Sequence, residues 1–340
     1  MQETLFHEKQ TIIENCLFGV DINPNSVKIC RLRLWIELLK NAYYRSDGHL
    51  ETLPNIDINI KCGNSLISRF DLDADLSHAL RRSRYSIDSY RAAVGAYRHA
   101  TDKAQKRELK HIIEDIKDSF TKEIYATDPR RIRLSRLTGE ELTLRSRQDM
   151  FGESETEKKK QEKRLGQEAR EIAKIETEIE EAESGRIYRN AFEWRFEFPE
   201  VLDDNGDFIG FDIVIGNPPY IQLQKDGGKI GKELTKQGYE TYARTGDIYS
   251  IFYEKGWQLL KTMGLLTFIT SNKWMTAAYG MNTRIFIRNR TLPLLLADFT
   301  GKKIFEEATV ETNVLMFEKK PLDVNEPFQT FVVNFDDEYE

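Results

Sequence analysis

The spacing of apolar and polar residues changes twice along the chain. In the first 70 residues, short apolar runs flank a helical pattern. Residues 16–22 (CLFGVDI) read as a buried strand, Asn23-Pro24-Asn25 supplies a turn and cap, and residues 26–44 are apolar over a wide helical face. A second strand is predicted over 56–64 (IDINIKCGN), after Pro54-Asn55. Strand, helix and strand at this spacing make the βαβ unit of a parallel sheet.

Between about 71 and 190 glycine becomes sparse and long polar stretches carry helical spacing. In 151–185, Leu165, Ile172, Ile175, Ile179 and Ala182 mark a coiled-coil-like seam with Glu and Lys around it. Residues 81–147 hold 17 Lys and Arg against 10 Asp and Glu, whereas 151–185 hold 7 against 11. A solvated helical hairpin with mutually attracting arms is the simpler reading. The sharper one sets the arginine-rich arm (Arg81, Arg82, Arg84, Arg91, Arg98, Arg107) beside a phosphate backbone. From 191 the α/β pattern returns, with strands predicted at 211–220, 264–274, 293–300 and 311–319 and an amphipathic helix at 248–261. The expected fold class is therefore α/β, one doubly wound sheet whose parts at 1–70 and 191–340 are separated by a helical insertion at 71–190.

Composition narrows this picture only slightly. With 40% hydrophobic and 31% charged residues, the chain has the balance of a polar globular protein. It has no apolar run of about 18 residues and no secretory core, so a cytoplasmic location is expected. Cys16, Cys30 and Cys62 fit neither a disulfide framework nor a zinc spacing and read as reduced core residues. All five histidines precede residue 112, and no paired-histidine motif or phosphate-binding glycine loop is present, so no metal site is predicted. A net charge of −6 does not exclude a nucleic-acid partner, because binding follows local patches.

The chemistry concentrates at strand ends. Asn217-Pro218-Pro219-Tyr220 follows an apolar strand, at the sheet edge where open α/β folds place their sites. The prolines stiffen the loop and remove backbone donors. The Asn217 side-chain oxygen and the Pro218 carbonyl form two acceptors that can grip one exocyclic amine and expose its lone pair to a methyl donor. Tyr220 offers a face for a planar base, and the plain alternative for the whole tetrapeptide is a proline-stiffened turn. Asp21, ending its strand, is placed for the ribose hydroxyls of a nucleoside-type cofactor, or else for capping the helix that follows. Asn64 is placed for an adenine edge, or else for an ordinary turn.

Together, FGVDINPNSVKICRLRLWIELL, KCGNSL and FEWRFEFPEV leading into FDIVIGNPPY resemble the methyltransferase domain of adenine-N6 DNA methylases. The resemblance is closest to those of type IIG restriction-modification systems and related phage-exclusion methylases. It implies a Rossmann-like sheet binding S-adenosyl-L-methionine, with Asp21 on the ribose, Ile22 packed on the cofactor adenine and Asn64 contacting that adenine, a position where many relatives carry Asp. It also implies Asn217, Pro218, Pro219 and Tyr220 as the catalytic tetrapeptide. Phe305, in KKIFEEATVETNVLMFEK, takes the place of the aromatic that clamps the flipped base from its other side, or else is a core aromatic. The implied partner is double-stranded DNA with a flipped adenine.

Two features of that family are not found. Residues 1–18 contain nothing like its glycine-rich methyl-donor loop, and no target-recognition domain follows 319. The chain is therefore expected to be a segment whose first strand is absent, inactive alone, with exposed apolar edges and the upstream and target-recognition segments as partners. Two other readings stay open: a catalytically dead scaffold or DNA-binding remnant, and a protein glutamine-amide methyltransferase, since the tetrapeptide can grip any planar amide.

Overall fold

The computed structural model describes every residue except 73–80, 151–154, 185–187, 189, 303, 306–309, 320–328 and 335–340. The chain forms two compact units, one of residues 1–65 and 69–207, the other of 66–68 and 208–340.

The first unit opens with a helix that the apolar pattern did not announce, α1 (Gln2–Cys16). Its inward positions, Phe6 and Ile13, join Leu38 and Ile56 in one core cluster. Buried Asn59 gives its side-chain amide to the carbonyls of Ile13, Glu14 and Leu17, taking up acceptors that the helix end leaves over. The strand expected at 16–22 is shorter, β1 (Gly19–Asp21). Helix α2 (Pro24–Leu39) begins with Pro24 and is capped by the Asn23 side chain, which accepts from Asn25 N–H at 2.9 Å. Of the strand expected at 56–64, residues 56–58 form a 3₁₀ turn and only β2 (Ile60–Cys62) is extended. β1 and β2 pair in parallel, Gly19 to Ile60 through Asp21 to Cys62.

The polar stretch that follows is helical: α3 (Ile87–His99), α4 (Lys103–Thr127), α5 (Pro129–Met150) and α6 (Glu155–Ser184). Ser86 and Asp102 cap α3 and α4. These two helices share a core with the segment at 192–202, because Tyr90 is fully buried, donates to the Phe196 carbonyl and meets Phe120 edge-on. On α6, Ile175 and Ile179 are buried and Leu165 and Ile172 half-buried; the side chain of Ala182 lies outside the described residues. Arg133 on α5 pairs with Glu171 on α6. A short helix, α7 (Trp194–Glu197), closes the unit.

In the second unit, β3 (Phe211–Gly216), α8 (Lys225–Thr235), α9 (Ile248–Leu259), β4 (Leu260–Ser271), α10 (Lys273–Thr276), α11 (Met281–Arg290), β5 (Leu292–Asp298), β6 (Thr312–Glu318) and β7 (Phe331–Asn334) follow in order. The sheet runs β3-β4-β6-β5-β7. It is mixed: β4 lies parallel to β3, and β6 runs antiparallel to both β4 and β5. Its core gathers Tyr249, Tyr253, Leu266, Phe268, Trp274, Leu315 and Phe317, with Val214 and Tyr220 packed against them.

Edge strand β3 turns Val214 inward and leaves Ile213 and Ile215 63% and 79% exposed. On α2, Ile29, Leu32 and Ile36 stand exposed as well. The cysteine reading needs correction: Cys16, Cys30 and Cys62 are all exposed free thiols, because each lies at an element end or on an outward helix face. Among the described residues, no helix is long and apolar enough to cross a membrane.

Candidate active site

Strand β3 ends at Gly216, and the chain leaves the sheet as Asn217-Pro218-Pro219-Tyr220. Pro218 is buried and anchors the loop, while Asn217 is exposed and its side chain makes no hydrogen bond to any described residue. Its amide oxygen is therefore an available acceptor on a loop whose next residue is fixed. Tyr220 is half-buried, with its hydroxyl directed at the Ile269 carbonyl of β4 at 3.5 Å, and burial raises its phenol above the usual value. Beyond it, Leu223 N–H donates to Gly246 and Ile248 N–H to Ile221, tying the loop to the start of α9.

A buried polar chain stands behind Tyr220. Its ring meets Tyr249 edge-on at 6.3 Å, the Tyr249 and Tyr279 hydroxyls lie 3.2 Å apart, and Tyr279 donates to the Asp247 carboxylate at 2.8 Å. Burial, then the partnership with Asp247, pushes the Tyr279 phenol up to about 12. Deeper in, Tyr253 and Thr270 share a hydrogen bond of 2.8 Å, and the Asn313 side-chain oxygen accepts from both Thr270 and Trp274 at 3.2 Å. Sequence reasoning missed both groups. The helical pattern of 248–261 marks Tyr249 and Tyr253 as inward, but their hydroxyl partners lie 30 and 17 residues away.

The residues expected to hold a nucleoside are in the first unit, at the carboxyl ends of β1 and β2. Asp21 is exposed. One carboxylate oxygen accepts Asn23 N–H at 2.6 Å, which forms the turn into α2, while the helix cap itself is Asn23. The other oxygen carries no hydrogen bond to a described residue and faces solvent, as an acceptor for ribose hydroxyls must. Ile22 is 62% exposed, an apolar surface beside that carboxylate. Gly63 N–H donates to the Asp21 carbonyl at 3.0 Å, and a side chain at Gly63 would stand 2.7 Å from the Phe192 ring, so only glycine lets the strand end lie this close. Asn64 continues from there, its N–H on the Asn190 carbonyl at 2.7 Å. A free carboxylate oxygen, an exposed apolar side chain and an amide on adjacent parallel strand ends fit the nucleoside half of S-adenosylmethionine.

The Asp21 group lies on the first unit and the tetrapeptide on the second. Phe305 is half-buried between β5 and β6, and part of the segment around it lies outside the described residues. Of the six arginines singled out, Arg91 is held by Asp204 and the Leu202 carbonyl, and Arg98 by Glu200, whereas Arg81, Arg82, Arg84 and Arg107 are exposed.

Several known proteins are similar to this chain. A protein of Methanocaldococcus jannaschii named as a type II restriction enzyme and methyltransferase is 26% identical over 341 residues, covering 93% of this chain and 27% of that protein. The type II restriction enzyme and methyltransferase RM.Eco57I of Escherichia coli is 29% identical over 112 residues, covering 32% of this chain and 11% of its own length. The chain thus spans about a quarter or less of these relatives. Among solved structures, the M protein of the type I restriction enzyme EcoKI matches 35% of this chain and 23% of its own at 17% identity, and its TM-score of 0.23 adds nothing to the assignment. The family model for the Eco57I restriction-modification methylase matches residues 15–305, and on that match, which takes in both strand-end groups, the chain belongs to the Eco57I restriction-modification methylase family.

Proposed function

We propose that this chain is the catalytic segment of a site-specific DNA methyltransferase of a type IIG restriction-modification system, acting on adenine N6 with S-adenosylmethionine as donor. The observation that carries the reading is the Asn217-Pro218-Pro219-Tyr220 loop at the carboxyl end of β3, with Pro218 buried and the Asn217 side chain bonded to no described residue. When bound, S-adenosylmethionine supplies an electrophilic methyl group. Asp21 takes the ribose hydroxyls, Ile22 packs on the cofactor adenine and Asn64 pairs with its edge. Asn217 Oδ1 and the Pro218 carbonyl accept the two N–H groups of the target amine, which turns its lone pair away from the ring. Tyr220 stacks on a flipped base and Phe305 closes on its other face. The amine loses a proton once it carries the methyl group, so the site needs no strong base.

The test is single-turnover transfer of labelled methyl groups to duplex DNA by the polypeptide that carries these residues in the cell. Asn217→Ala should lower the rate by about 10²–10³, as loss of one preorganised polar contact does. DNA affinity should stay unchanged, since phosphate contacts elsewhere supply most of it. A near-normal rate for Asn217→Ala would overturn the assignment.

A further inference from the structure

The segment after the tetrapeptide has its own charge character. Residues 221–246 carry five lysines and arginines against three acidic residues, in a chain of net charge −6. Helix α8 begins five residues after Tyr220 and holds Lys225, Lys229 and Lys232, all exposed. Beyond Gly227 and Gly228, whose positive φ angles interrupt the regular twist, Lys229 and Lys232 stand one turn apart on the face opposite Leu234. Leu234 is 2% exposed, and Gly231 is pressed so close to the unit's body that an added Cβ would stand 3.0 Å from the Leu223 carbonyl and 3.4 Å from the Tyr242 hydroxyl. The helix lies flat on its small, apolar side and turns its lysines outward.

Those lysines have no internal work. Elsewhere in this unit, Lys261 pairs with Asp212, Arg290 with Glu240, and Arg284 donates to the Trp274 and Ala277 carbonyls. The side chains of Lys225, Lys229, Lys232 and the exposed Arg244 form no hydrogen bond or ion pair with any described residue. Arg244 lies in the loop whose Gly246 carbonyl receives Leu223 N–H, so it belongs to the same small substructure as the start of α8.

Resting on the DNA reading of the tetrapeptide, we infer that Lys225, Lys229, Lys232 and Arg244 form a phosphate-contacting surface that receives the duplex backbone beside the target base. Ammonium groups on flexible stems act as point charges. They fit a sequence-independent backbone better than base edges. The surface fixes where the duplex lies relative to the tetrapeptide, and the choice of sequence is made elsewhere.

The experiment measures binding of a duplex oligonucleotide by the intact polypeptide between 50 and 200 mM salt, for matched and unrelated sequences. Each phosphate-contacting lysine should contribute about 1 to the slope of log affinity against log salt. The Lys225→Gln, Lys229→Gln, Lys232→Gln triple variant should therefore flatten that slope by about 3. It should weaken both sequences alike, with lysine-to-arginine replacements restoring the slope. A matched set on α4 (Lys103→Gln, Arg107→Gln, Lys110→Gln) removes three exposed charges at the same spacing and should leave the slope unchanged. A slope unaltered by the α8 variant, or lost only with the α4 set, overturns this inference and leaves the methyltransferase reading standing. If the wild-type polypeptide shows no salt-dependent DNA binding at all, the methyltransferase reading falls and takes this inference with it.

Discussion

Tyr220 holds its place through a neighbour rather than through its own hydroxyl. Its 3.5 Å contact with Ile269 is long for a hydrogen bond, whereas the edge of its ring is seated on Tyr249, itself fully buried and linked through Tyr279 to Asp247. A double-mutant cycle combining Tyr220→Ala and Tyr249→Leu should give a coupling of about 1 kcal/mol in chemical denaturation, within the range for a geometric aromatic pair. Tyr249→Phe, which keeps the ring and loses one hydroxyl link, should cost about 1 kcal/mol. A coupling near zero would show that the ring of Tyr220 is seated by something else. The residues at the strand ends were legible beforehand, because asparagine, proline and aspartate after an apolar run announce a loop of defined chemistry. The tyrosine chain was not, because each of its links joins residues distant in sequence.

At the scale of elements, a buried ion network fastens the helical stretch to the short sheet of the first unit. Lys61 on β2 and Lys117 on α4 both reach the Glu197 carboxylate of α7, at 2.8 and 2.9 Å, with all three side chains less than a quarter exposed. Burial works against the charged form of Glu197, but attraction and hydrogen bonding from the two lysines prevail and hold its pKa at about 2, below the usual 4.5. This depressed carboxylate stabilises the fold above pH 4.5, and its contribution fades as the pH falls from there towards 2. Glu197→Gln should cost roughly 3 kcal/mol at neutral pH, since it leaves two lysines without their partner. The variant should also lose less further stability than wild type between those pH limits, which acid-dependent urea unfolding would measure. If both proteins lose stability in parallel there, the network is not what ties these elements together. Boundaries were the weakest part of the sequence reading, for identifiable reasons. Ile56, Ile58 and Ile60 alternate as a strand would and are all buried, yet the first two belong to a 3₁₀ turn. Helix α9 gives way to β4 between the adjacent residues Leu259 and Leu260, with no glycine or proline between them to mark the change. Helix α1 puts only Phe6, Ile13 and Glu14 inside, too sparse a stripe to stand out.

For the molecule as a whole, the apolar pattern was read as one doubly wound sheet, whereas the described strands form a two-stranded sheet in one unit and a five-stranded mixed sheet in the other. An apolar run reports that a strand is buried and nothing of its direction, so β6, antiparallel to both neighbours, reads like any parallel strand. The three cysteines, misread as core, turn out to give the protein a set of natural labels. All lie in the first unit and all are open to solvent, so thiol reagents address that unit and leave the other untouched. Cys62 stands two residues before Asn64, with its sulfur 3.6 Å from the Ile22 carbonyl, among the side chains assigned to the nucleoside. Alkylation followed by peptide mass spectrometry should therefore show S-adenosylmethionine shielding Cys62 while Cys16 and Cys30 react at their unliganded rates. Equal rates at all three, with and without the ligand, would place the nucleoside somewhere other than the ends of β1 and β2. The thiols thus give occupancy of one half of the reaction a readout that needs neither DNA nor turnover.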